Sequence, residues 1–119
     1  MSTIERDTEI LIDNQLKNLG WINDPISKDR NVYLQTAKSG KDKIKLNGLK
    51  PDYILYQSGT DSAIAIIEAK KGGENLDKAL NQAIDYAKCL GVKIVFATNG
   101  SYYETRFLPN NKGLILKLS

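Results

Sequence analysis

Apolar and polar positions change period several times along the chain, and each change marks an element. Between Thr8 and Leu19 the residues Leu11, Ile12, Leu16 and Leu19 fall near one helical face, and Gly20 stands where a helix would stop. Trp21 and Ile22 are expected to pack beneath that helix. From Asn23 to Asn47 the pattern weakens: Asp24-Pro25 and Ser39-Gly40 read as turns, and Val32-Tyr33-Leu34 suits a short strand or helix. Asp52 to Gln57 and Ser62 to Lys70 are rich in β-branched and aromatic residues and flank the Gly-containing turn Ser58-Gly59-Thr60-Asp61, which predicts an antiparallel hairpin. Gly72-Gly73 ends the second run, and a helix is predicted from Asn75 to Leu90 with Gly91 as its stop. Leu76, Ala79, Leu80, Ala83, Ala87 and Leu90 make its core face, and Gln82 and Tyr86 are neighbours on the adjoining flank. Lys93 to Thr98 then reads as a buried strand, Asn99-Gly100 as a tight turn, Tyr102 to Leu108 as a partner strand and Leu114 to Leu118 as a last short one.

Helix, hairpin, helix, strand, strand is the order of an α/β domain in which helices cover both faces of a mixed sheet. The crossover from the Glu68 strand to the Val95 strand is expected to be parallel and right-handed. At 119 residues and 41% hydrophobic content, one domain spanning 1–119 with a modest core is expected.

Candidate chemistry sits where the hairpin strands end. Glu68 and Lys70 close a run, Ala63 to Ile67, that otherwise reads as a strand buried on both faces, where charges are costly. Partners in a hairpin have residue numbers with a constant sum, and an odd loop centred on Thr60 would set Asp52 directly opposite Glu68. A two-residue loop would break that match, and a bulge would restore it. Two carboxylates about 5 Å apart repel by roughly 3 kcal/mol at an effective dielectric near 20, so the pairing calls for a cation or a proton. Hard oxygen donors suit Mg²⁺ or Mn²⁺, and Lys70 would steady the charge that grows on a phosphoryl group. An ordinary reading is equally available: a solvated strand end and a turn aspartate after Pro51.

Other chemistries drop out. There is no histidine and one cysteine, Cys89, which excludes Ser-His and Cys-His nucleophiles and Cys/His zinc sites within these residues. Ser39-Gly40-Lys41-Asp42 lacks the spacing and the hydroxyl of a phosphate-binding loop. Cys89, beside Ala87, Leu90 and Val92, is expected to pack as a small hydrophobe. No apolar run reaches membrane-span length and the first residues lack a secretory pattern, so a cytoplasmic protein with no membrane partner is expected. The net charge is only +3, yet Lys38, Lys41, Lys43, Lys45 and Lys50 face one acid, Asp42, within a single stretch. That stretch is either a solvated loop or a surface for a nucleic-acid backbone. Glu9, in the first turn of the first helix, favours the helix dipole and could also reach a metal site.

The residues Pro51-Asp52 with Glu68-Ala69-Lys70 resemble the defining motif of the PD-(D/E)XK nuclease superfamily, and Gln82 to Tyr86 resembles the QxxxY extension of some members. More specifically, Thr8-Glu9, Gly20-Trp21, Asp52 to Tyr56, Glu68 to Lys70, Gln82 to Tyr86 and Ala97 to Gly100 resemble, in order, the N-terminal nuclease domain of type I restriction enzyme R subunits. The resemblance implies a restriction-endonuclease-like fold and Mg²⁺-dependent cleavage of double-stranded DNA, with Mn²⁺ able to substitute. It implies that Asp52, Glu68 and the Ala69 carbonyl bind the metal, that Lys70 is catalytic, that Glu9 is an accessory acid, and that Gln82 and Tyr86 position DNA or support the site. Such R subunits continue into a helicase-like motor that these residues lack, which implies an isolated domain, a fragment or a stand-alone nuclease of the same lineage. Motor and specificity or methylase subunits are the implied partners. Two other classes stay open: a DNA-binding module with little activity, and a module that docks on a motor.

Overall fold

The computed structural model describes residues 6–109, so the expected strand from Leu114 to Leu118 lies outside the described residues. Three helices, α1 (Arg6–Asn18), α2 (Gly40–Leu46) and α3 (Asp77–Leu90), surround five strands, β1 (Val32–Leu34), β2 (Tyr53–Tyr56), β3 (Ala63–Ala69), β4 (Ile94–Thr98) and β5 (Tyr103–Phe107). The strands lie side by side in chain order, antiparallel except for β3 and β4, which are parallel because α3 carries the chain back between them.

Alternation along the strands builds two cores. Ile54, Tyr56, Ile66, Val95 and Ala97 point to one face and pack with Leu46 of α2 and the apolar side of α3. Tyr53, Leu55, Ala65, Ile67 and Ala69 point to the other and pack with Ile12 and Leu16 of α1. Helices therefore cover both faces of a mixed sheet, as the pattern predicts. α1 covers its face only in part: an open groove of about 650 Å³ beside Leu19, Trp21, Ile64 and Phe96 remains, and Leu11 and Leu19, expected in the core, are exposed. Leu11 instead abuts the turn at Gly100, where φ is +89° and an added Cβ would lie 2.8 Å from its Cδ1. Cys89 is exposed as well, on the outer side of α3, which corrects the expectation that it packs inside.

The weakly patterned segment holds more structure than its sequence suggests. Val32 to Leu34 forms a strand, and Ser39-Gly40 opens α2 rather than a turn. Ser39 Oγ accepts the Asp42 N–H at 3.1 Å, capping the helix, and buried Asp42 accepts the Tyr56 hydroxyl at 2.8 Å, fastening it to the sheet. Asn47, left-handed at φ +49°, ends it. α3 starts two residues later than expected, since Asn75 Oδ1 accepts the Asp77 N–H and forms a turn ahead of the helix.

The hairpin reaches the expected register by the second of the two routes. Its loop has an even number of residues, closed by the Gln57 N–H on the Ser62 carbonyl at 2.9 Å, and Tyr56 pairs with Ala63. Leu55 then pairs with Ala65, leaving Ile64 as an extra, exposed residue at a bulge. Past it, Ile54 pairs with Ile66 and Tyr53 with Ile67, the register that sets Asp52 across from Glu68.

Candidate active site

Asp52 immediately precedes β2 and Glu68 lies near the end of β3, both central strands, so burial is imposed by the sheet. Asp52 is 3% exposed and Glu68 1%. Each carboxylate takes a backbone N–H from the other strand: Glu68 Oε2 accepts from Asp52 at 2.6 Å, and Asp52 Oδ2 accepts from Ala69 at 2.8 Å. Those bonds fix both side chains on the α3 face. Asp52 Oδ1 is left buried with no hydrogen-bond partner. A buried oxygen in that state is costly unless something else satisfies it.

Electrostatics show the same conflict. Burial, and then the Asp52 charge, push the Glu68 carboxyl up to about 8, against the opposing effects of the Asp52 N–H and Lys70. Asp52 is also raised, chiefly by burial and further by Glu9, while the Ala69 N–H, Lys70 and Gln35 pull it down. Glu9 and Lys70 thus lie within electrostatic reach of the pair. The donor set suits a small divalent cation: hard oxygens, one of them orphaned, and a surplus of negative charge. Among the described residues no cluster of three or more acidic, histidine or cysteine side chains could hold a metal, so any cation here would rely on the two carboxylates together with backbone oxygens or water.

Neighbouring elements are tied to this point. The Lys70 N–H donates to the Thr98 carbonyl of β4 at 2.8 Å, and its carbonyl accepts Thr8 Oγ1 at 2.7 Å, which brings the first turn of α1 and Glu9 to the strand end. Tyr53, fully buried, donates to Asp13 Oδ1 at 3.1 Å and holds α1 one turn further on. From the opposite side, Gln82 Nε2 donates to the Tyr86 hydroxyl at 2.7 Å. Tyr86 is raised by burial first and then by the nearby Glu68 charge, so that flank of α3 faces the carboxylates.

The lysines divide. Lys38 Nζ donates to the Thr60 carbonyl at 2.6 Å and pairs with Asp61 at 3.4 Å. It is thereby committed to the hairpin turn, at the other end of β2 and β3 from Asp52 and Glu68, which corrects its grouping with residues beside the site. Lys41, Lys43 and Lys45 are exposed along α2, and Lys50 is exposed two residues before Asp52. Residue patterns missed Gln35, which takes the place across from Asp52 just past the end of β1. No pattern could have shown it, because a three-residue strand carries too little periodicity to fix its register.

No family model matches the chain. Over 92 residues, 75% of its length, it is 35% identical to the type I restriction enzyme EcoAI endonuclease subunit of Escherichia coli. The chain is similar to type I restriction R subunits. A fragment structure assigned to an HsdR subunit of a type I restriction enzyme from Vibrio vulnificus YJ016 superimposes on 98% of the chain with a TM-score of 0.69 and 25% identity. The chain spans 11% of the first relative and 23% of the second. In the described residues no helix is long and apolar enough to cross a membrane.

Proposed function

We propose that this domain is a Mg²⁺-dependent DNA endonuclease of the PD-(D/E)XK type, acting within or beside a type I restriction system. The observation that carries this reading is the buried Asp52 and Glu68 pair, with one oxygen orphaned and Lys70 at the adjoining strand end. Similarity to an endonuclease subunit supports it.

Asp52, Glu68 and the Ala69 carbonyl would hold the cation, which supplies Lewis acidity toward a phosphoryl oxygen and makes a water more acidic. The rest follows from the chain's own groups. Water oxygen bonds to phosphorus and gives up its proton to solvent, the ester bond to one sugar oxygen breaks, and that oxygen takes up a proton from solvent, leaving a phosphate end and a hydroxyl end. The Lys70 ammonium stabilises the negative charge that builds on the phosphoryl oxygens. Glu9 adds acidic charge beside Asp52 and would serve as an accessory acid. Gln82 and Tyr86, already hydrogen-bonded to each other, would seat the DNA strand against α3. Lys50 with Lys41 and Lys45 of α2 would meet backbone phosphates, and motor and specificity subunits would bring the DNA.

The test is cleavage of plasmid DNA in Mg²⁺ or Mn²⁺. Glu68→Ala and Lys70→Ala proteins should remain folded and lose cleavage by at least about 100-fold, the scale of losing one charge-stabilising group. Equal cutting by wild type and both variants, after removal of contaminating nuclease, would sink the proposal.

A further inference from the structure

Gln35 follows β1 where that strand stops. Its φ of +56° lies in the left-handed region, unusual for a side chain of its size. Its N–H is shared between the Pro51 carbonyl at 3.0 Å and the Asp52 carbonyl at 3.1 Å. The pairing of β1 with β2, from Val32 with Leu55 to Leu34 with Tyr53, continues by one step to place Gln35 across from Asp52. Asp52 is therefore flanked by Glu68 on one side and Gln35 on the other. The bend also turns the chain onto the α3 face, where Ala37 is buried.

Strain held at such a position invites a functional reading. We infer that Gln35 is a positioning residue of the metal centre, its amide bracing the Asp52 carboxylate on the side away from Glu68. The inference rests on the metal-dependent reading above. An amide suits the task because it donates a hydrogen bond without carrying charge. A lysine or arginine there would neutralise Asp52 and compete with a cation, whereas an amide can hydrogen-bond the carboxylate and leave its charge available. Gln35 need not touch DNA or water to act.

Two substitutions separate positioning from plain structure. Gln35→Gly removes the amide and relieves the left-handed backbone, whereas Gln35→Ala removes the amide and keeps the strain. Mn²⁺ binding to the full chain is measured by calorimetry, and the metal-free melting temperature by circular dichroism. Both variants should bind Mn²⁺ about 10-fold more weakly, the loss expected when an orienting partner of a ligand is removed. Their metal-free stabilities should move apart, with the glycine protein melting above the alanine protein. A purely structural Gln35 would make affinity follow stability, so a glycine protein that binds Mn²⁺ as tightly as wild type overturns the inference. Should wild type bind no Mn²⁺ at all, the metal-centre reading falls and this inference with it.

Discussion

At Asp52 one oxygen is bonded to the Ala69 N–H and the other to nothing, while Glu68 crowds in from across the strand pair. Without a cation, charge at this residue works against folding. Asp52→Asn should therefore be at least as stable as wild type in chelator, because the amide can still accept from Ala69 and no longer repels Glu68. It should also lose most of the Mg²⁺-dependent rise in melting temperature, since that rise measures binding to the native state. Melts of both proteins with and without Mg²⁺ check both halves, and an unchanged metal response in the variant would remove Asp52 from the site. Chain spacing made Asp52, Glu68 and Lys70 visible in the sequence because hairpin pairing is a local rule. Gln35 stayed hidden because β1 is joined to β2 through α2 rather than by a hairpin turn, so its pairing with Asp52 cannot be counted from a turn.

The lysine-rich stretch belongs to the scale of elements. Its signal for helix was the Ser39-x-x-Asp42 spacing, a capping pattern overshadowed by the Ser-Gly turn signal and by the density of charge. Once the segment is helical, its lysines are no longer equivalent. Lys41 and Lys45 are one turn apart on one flank, Lys43 projects roughly opposite, and Lys38 is held at the hairpin turn. One DNA backbone can meet Lys41 and Lys45 together, not all three residues of the helix. Changing Lys41 and Lys45 to Ala should flatten the slope of log affinity against log salt for duplex DNA by about 2, at roughly 0.9 per phosphate contact. Lys43→Ala should leave that slope nearly unchanged. Binding titrations across salt concentration check this on two unrelated sequences, which should weaken alike because phosphate contacts carry no base information.

For the whole molecule, the buried carboxylates link stability to pH. Glu68 keeps its proton up to about pH 8 when folded but releases it near 4.5 when unfolded. Between those values the folded state binds more protons than the unfolded state, so stability falls as pH rises. The contribution is complete below about 4.5 and lost as pH passes about 8. Asp52 is shifted in the same direction and adds to the fall. Metal-free protein should thus melt several degrees lower at pH 8 than at pH 5, Glu68→Gln should flatten the profile, and Mg²⁺ should restore most of the loss at the alkaline end, where the deprotonated pair binds it. Thermal melts across pH, with and without Mg²⁺, provide the measurement.

What the sequence determined by itself were the features carried by neighbours in the chain. The period of Thr8 to Leu19, the apolar face of Leu76 to Leu90 with its Gly91 stop, and the presence of a hairpin between Asp52 and Lys70 all follow from local rules. Tertiary structure decided the rest. Only the folded hairpin shows that an even loop and a bulge at Ile64, rather than an odd loop, produce the register. Only the packed sheet sets Gln35 beside Asp52, exposes Leu11, Leu19 and Cys89, and commits Lys38 to Thr60 and Asp61. The physical reason is the same in each case: burial and cross-strand pairing between distant segments depend on where whole elements come to rest, and hydrophobic periodicity reports which face of an element is apolar without saying what will cover it.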